Sequence, residues 1–132
     1  MSEIVRNPAL EVFERWGEAM KEAVGEENYA SDNSITIAKT PYARLYMIGN
    51  PTGEQDLEAN ECSTIPSFQV EVFTSGQKAI AKAYEIDSAS HQAMISMGFR
   101  RTYGPELIPN IDLRIKRCVS RYSRVLADGD TF

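Results

Sequence analysis

A chain of 132 residues with 42% hydrophobic and 25% charged residues has the size and composition of one soluble globular domain, able to bury a core without disulfides or a structural metal. Its apolar runs, such as Leu45 to Ile48, are too short to cross a bilayer, and Met1 to Arg6 lacks the apolar core of a signal peptide. No membrane-spanning helix is expected, and the chain is expected to stay in the cytoplasm of the cell that makes it. Cys62 and Cys118 lie far apart and outside CxxC spacing, so they read as free thiols and not as a zinc site or a disulfide framework.

Asn7-Pro8 offers an N-cap followed by proline at the first helical position, where its missing N–H costs nothing. A helix follows in which Leu10, Phe13, Trp16, Gly17, Met20 and Val24 recur at three- and four-residue spacing as one apolar stripe. Gly25 and the polar run from Glu26 to Ser34 end it. Ile35 and Ile37 suggest a short strand, and Thr40 to Ile48 a longer one, with Ala43, Leu45 and Met47 on one face and Tyr42, Arg44 and Tyr46 on the other. Gly49-Asn50-Pro51-Thr52-Gly53 breaks that strand and opens an exposed loop at about 50–61, long enough to be a binding element. Ile65 to Phe73 returns as an antiparallel strand with Phe68, Val70 and Val72 opposite Gln69 and Glu71.

Thr74-Ser75-Gly76 then switches the period from two to 3.6, with Ser75 as the expected N-cap. The second helix carries Ala79, Ile80, Ala83, Ile86, Ser90, Ala93, Met94 and Met97 as its buried stripe and stops at Gly98, a C′ glycine. Phe99 to Tyr103 is extended. Gly104-Pro105 and Pro109-Asn110 bracket a turn region, and Ile111 to Val119 alternates again with Ile111, Leu113, Ile115 and Val119 on one side. The expected fold is a single α+β domain over residues 1–127 in the order α-β-β-α-β-β, a mainly antiparallel sheet with both helices on one face. Residues 128–132 read as a short acidic tail that frays.

The net charge of −5 conceals a segregation. Residues 1–32 hold three bases against eight acids, and residues 98–124 hold seven bases against two acids, so the two ends carry −5 and +5. Complementary ends suit an intramolecular clasp or head-to-tail contact between copies. The run from Arg114 to Arg124, with Tyr122 inside it, has the arginine and aromatic content that stacks on a single nucleic-acid strand. An edge strand with a charged solvent face, or a protein interface, accounts for it better, since interfaces also enrich arginine and tyrosine. The overall acid excess argues against a phosphate partner.

Chemistry has little to build on. His91 is the single histidine and lies mid-helix, no GxSxG, P-loop or GxGxxG occurs, and Glu54, Asp56, Glu58 and Glu61 fail the EF-hand spacing. No catalytic, cofactor-binding or metal-binding residue is assigned, and an enzyme is not expected.

Thr-Pro-Tyr-Ala-Arg-Leu-Tyr at 40–46, Pro-Ser-Phe-Gln-Val-Glu-Val-Phe-Thr at 66–74, Met-Gly-Phe-Arg-Arg at 97–101 and Arg-Cys-Val-Ser-Arg-Tyr at 117–122, in this order of elements, resemble the tail terminator and tail-completion (head–tail joining) proteins of long-tailed bacteriophages. The resemblance covers Asn7 to Arg124. It implies a cofactor-free structural protein of the virion that assembles in the host cytoplasm as a hexameric ring. That ring caps the tail tube protein and meets the head connector or another neck protein at the head–tail junction. A ring needs heterologous contacts, and the charge pattern suggests Glu11, Glu14 or Glu18 of one copy against Arg114, Arg117 or Arg121 of the next. Glu54, Asp56 and Glu58 on the polar loop are the expected partner-binding residues. Two alternatives stand beside this reading: another neck or minor tail component, and a small single-stranded nucleic-acid-binding module.

Overall fold

The computed structural model describes residues 7–31, 39–51, 63–127 and 129–132. Nine elements follow in chain order: α1 (Ala9–Ala23), β1 (Tyr29–Ala30), β2 (Tyr42–Gly49), β3 (Ser63–Thr64), β4 (Ser67–Ser75), α2 (Ala79–Ser96), β5 (Arg100–Ile108), β6 (Ile115–Ser123) and β7 (Leu126–Ala127). Five strands form one sheet in the order β1-β2-β4-β6-β5, antiparallel except for the short parallel pair β1–β2, while β3 and β7 make a separate two-stranded ribbon. The fold is the expected α+β class with a mainly antiparallel sheet in one domain.

Both helices pack on the same face. Val12, Trp16 and Met20 of α1 and Ala83, Ile86 and Met94 of α2 share one apolar cluster with Leu45, Val70, Val72, Cys118 and Tyr122 of the sheet. Asn7 Oδ1 accepts from the Ala9 N–H at 2.9 Å, but the N-cap position falls on Pro8, one residue later than expected, and the helix begins at Ala9 without a side-chain cap. The core stripe of α1 runs through Val12, Trp16, Gly17 and Met20, whereas Leu10 points to solvent. The rest of the expected stripe is kept, with Val24 also buried and Phe13 packed against the core, and Val12 takes the place of Leu10.

At the other end of the fold the helix stop is the one expected. Gly98 has φ +83°, its N–H donates to the Ile95 carbonyl at 2.9 Å, and the Phe99 N–H donates to the Met94 carbonyl at 3.1 Å. This is a Schellman motif, with Phe99 and Met94 both buried beneath it. The helix start differs. Ser75 is the last residue of β4 and pairs its hydroxyl with that of Thr40, and the chain needs Gly76 and Lys78 at positive φ before α2 begins without a side-chain cap.

Three further expectations are corrected. Gly104-Pro105 lies within β5, not in a turn, at register shifts where the edge strand bulges against β6. The helix-facing residues of β6 are Cys118, Ser120 and Tyr122, so Ile115 and Val119 lie on the opposite side and Ile111 and Leu113 are outside the strand altogether. The chain end does not fray: Phe132 stacks on Phe99 with ring centroids 6.0 Å apart, and its carbonyl accepts from Arg15 Nη1 at 2.8 Å. The short strand expected at Ile35 and Ile37 lies outside the described residues.

Candidate assembly surfaces

Two polar networks sit on either side of the sheet. On the face away from the helices, Glu71 is fully buried in the middle of β4. Its carboxylate accepts from Arg44 Nε at 2.5 Å, Arg117 Nη2 at 2.7 Å, the Tyr46 hydroxyl at 2.8 Å and Gln69 Nε2 at 2.6 Å. Antiparallel register explains the convergence, since Arg44 is directly opposite Glu71 on β2 and Arg117 is its diagonal neighbour on β6. Burial alone would raise the Glu71 carboxyl. The hydrogen bonds from Arg117, Tyr46 and Arg44 outweigh it and hold the group below the usual carboxylate range. Arg121 extends the row, donating to Gln69 Oε1 at 2.8 Å and lying 5.0 Å over the Tyr103 ring.

On the helix side, Asp87 of α2 accepts from Arg101 of β5 at 2.8 Å and from the Ser120 hydroxyl of β6 at 2.7 Å. The same guanidinium donates to the Tyr122 hydroxyl at 2.8 Å, which lies 3.1 Å from His91 Nδ1. His91 is thus a half-buried boundary residue on a structural tyrosine, with no nucleophile beside it. Burial, aided by the Asp87 carboxylate, pushes the Cys118 thiol up to about 11. A thiol so placed is packing and not chemistry. Tyr122 is fully buried, which removes the aromatic that the nucleic-acid reading required on the surface.

The expected interface residues fall in different situations. Glu14 and Glu18 are exposed on α1 and Glu11 is half-buried. Arg114 is exposed at the turn before β6 and forms a two-pronged pair with Asp112. Arg117 is committed to Glu71 of its own chain, and Arg121 to Gln69 and Tyr103. Nor is their strand an edge: β6 lies between β4 and β5. Glu54, Asp56 and Glu58, with the rest of the expected loop beyond Pro51, lie outside the described residues.

Sequence reasoning missed Glu71, Arg44 and Asp87 as organising residues. The signal for Asp87 was an acid in register with Ala83, Ser90 and Met94 on a buried stripe. For Glu71 it was an acid flanked across both neighbouring strands by arginines, which only the pairing reveals.

The sheet also orders the charges in space. α1 lies against β1 and β2 at one edge, whereas β5, with β6 beside it, forms the other. Exposed Glu14, Glu18 and Glu22 therefore lie on α1 beside β1 and β2, whereas exposed Arg100 lies on β5 and exposed Lys116 and Arg121 on the adjoining β6. No cluster of three or more His, Cys, Asp or Glu suited to a metal occurs among the described residues, and no helix among them is long and apolar enough to cross a membrane. No model of a known protein family matches the chain, and no curated protein sequence is significantly similar to it.

Proposed function

We infer that the protein is a non-enzymatic structural component of a phage virion that completes the tail tube and joins tail to head as a ring of identical copies. The observation that carries this reading is the placement of exposed acids on α1, against β1 and β2, and of exposed bases on β5 and its neighbour β6. A patch that complements a different patch across the molecule generates head-to-tail contacts, which close into rings when the rotation per copy allows. The order and motifs that resemble tail terminator and tail-completion proteins supply the biological setting: the end of a tail tube below a head connector.

Light scattering over a concentration series, at low and physiological salt, tests the reading. The expected mass is about six times the 14.8 kDa of one chain, decreasing as salt rises because exposed charges are screened over about 8 Å at physiological ionic strength. A closed two-fold dimer would count against it, since an isologous contact uses up the same patch on both copies.

A further inference from the structure

The turn between β5 and β6 is held firmly and yet displays its apolar residues. The Arg114 N–H donates to Asp112 Oδ1 at 3.0 Å, the Ile115 N–H to the Asp112 carbonyl at 3.0 Å, and Asn110 Nδ2 to that carbonyl at 3.2 Å, with the Arg114 guanidinium clamped on the same carboxylate. Ile111 is nevertheless 103% exposed and Leu113 80% exposed. A turn selected only for solubility carries polar residues at such positions. Two aliphatic side chains fixed on an ordered turn form a knob whose ordering cost is met before any partner arrives.

Elsewhere on the molecule a groove of about 610 Å³ runs between the helices. Ala19 and Ala23 of α1 and Ile86 and Ala89 of α2 make its apolar floor, and Glu22 and Glu85 stand on its rim with Lys82. Its volume exceeds that of two aliphatic side chains. The rim carries one net negative charge, and the turn, with Arg114 and Lys116 against Asp112, carries one net positive charge. Within a chain the knob lies beside Ile80 at the start of α2 and leaves the groove empty.

We propose that the Ile111–Leu113 turn of one copy seats in the α1–α2 groove of the next copy, with Arg114 and Lys116 against Glu22 and Glu85. The occupant is a second copy of this chain, because knob and groove match in apolar character and in charge and lie on different parts of one molecule. This names the contact of the ring proposed above and rests on that reading for its closure, though not for its existence.

Disulfide trapping tests it. Leu113→Cys combined with Ala89→Cys, in a Cys62→Ser background with the buried Cys118 left in place, is expected to give a ladder of covalent oligomers under mild oxidation. A control pair, Leu113→Cys with Leu10→Cys, is expected to give little more than either single variant. In parallel, Ile111→Ser with Leu113→Ser is expected to keep the wild-type melting temperature and weaken self-association by about tenfold or more, given the burial of two aliphatic groups. A ladder ending at six supports both contact and ring. A ladder that runs on into filaments keeps the contact and discards the ring. Rings in the wild type without trapping above the control discard the contact and keep the ring. A protein that is monomeric and untrapped at high concentration overturns the contact.

Discussion

Glu71 receives four donors from side chains of its own strand and the two neighbouring strands, and its removal leaves two guanidinium groups facing each other across β4. Arg44 and Arg117 are mostly buried, at 12% and 25% side-chain exposure, so water compensates only in part. Glu71→Gln is expected to cost about 2–4 kcal/mol in denaturant unfolding, the scale for breaking a buried pair with one partner removed. Its pH signature has a definite sign. The folded carboxyl ionises below the ordinary 4.5, so its stabilisation is fully present above that value and is lost as pH falls toward the lower folded value. The wild type is expected to lose stability more steeply than Glu71→Gln below about pH 4.5, measured by unfolding at a series of pH values. For the same reason Arg117 is a poor residue with which to test assembly, since reversing its charge would first disturb the fold.

At the scale of elements, two glycines with the same backbone sign face different surroundings. Gly104 in β5 has φ +85°, and a Cβ there would lie 2.2 Å from the Val119 carbonyl oxygen of the neighbouring strand. Gly98 at the end of α2 has φ +83°, but the nearest atoms to its Cβ belong to the end of the flexible Arg124 side chain, at 2.9 Å. Gly104→Ala is expected to cost about 3 kcal/mol or more, since the backbone oxygen cannot retreat without breaking the β5–β6 register. Gly98→Ala should cost about 1 kcal/mol, the strain of a left-handed C′ residue. Urea midpoints for the two variants check the order, and a larger loss at Gly98 would contradict this account of β5.

Across the whole molecule, the exposed acids sit on α1 beside β1 and β2, and the exposed bases on β5 and β6. Glu14→Lys with Glu18→Lys changes solvent-exposed positions and is expected to alter folding stability by less than about 0.5 kcal/mol. Self-association should weaken and lose its dependence on salt. Adding Lys116→Glu to the same chain is expected to restore part of it. Sedimentation at two salt concentrations reads both effects, and an unchanged association constant in the first variant would remove Glu14 and Glu18 from the contact.

Local signals in the chain determined the six longer elements and their order, though not the two-residue strands β1, β3 and β7: the Asn7-Pro8 helix start, the alternation through Val70 and Val72, and the helix stop at Gly98 each depend on backbone geometry within a few residues. The same reading predicted the α+β class with both helices on one face, because two amphipathic helices and a run of alternating strands have few other ways to bury their apolar sides. Only the tertiary structure decided phase and partnership. Alternation in Ile111 to Val119 is equally compatible with either face, and pairing of β6 between β4 and β5 is what turns Cys118 and Tyr122 inward and leaves Ile111 and Leu113 in solvent. The interior position of β6 likewise places Arg117 within reach of Glu71, which makes a residue that reads as surface charge part of the core. Contacts between residues 46 positions apart leave no periodic trace along the chain, so they become visible only when the strands are laid side by side.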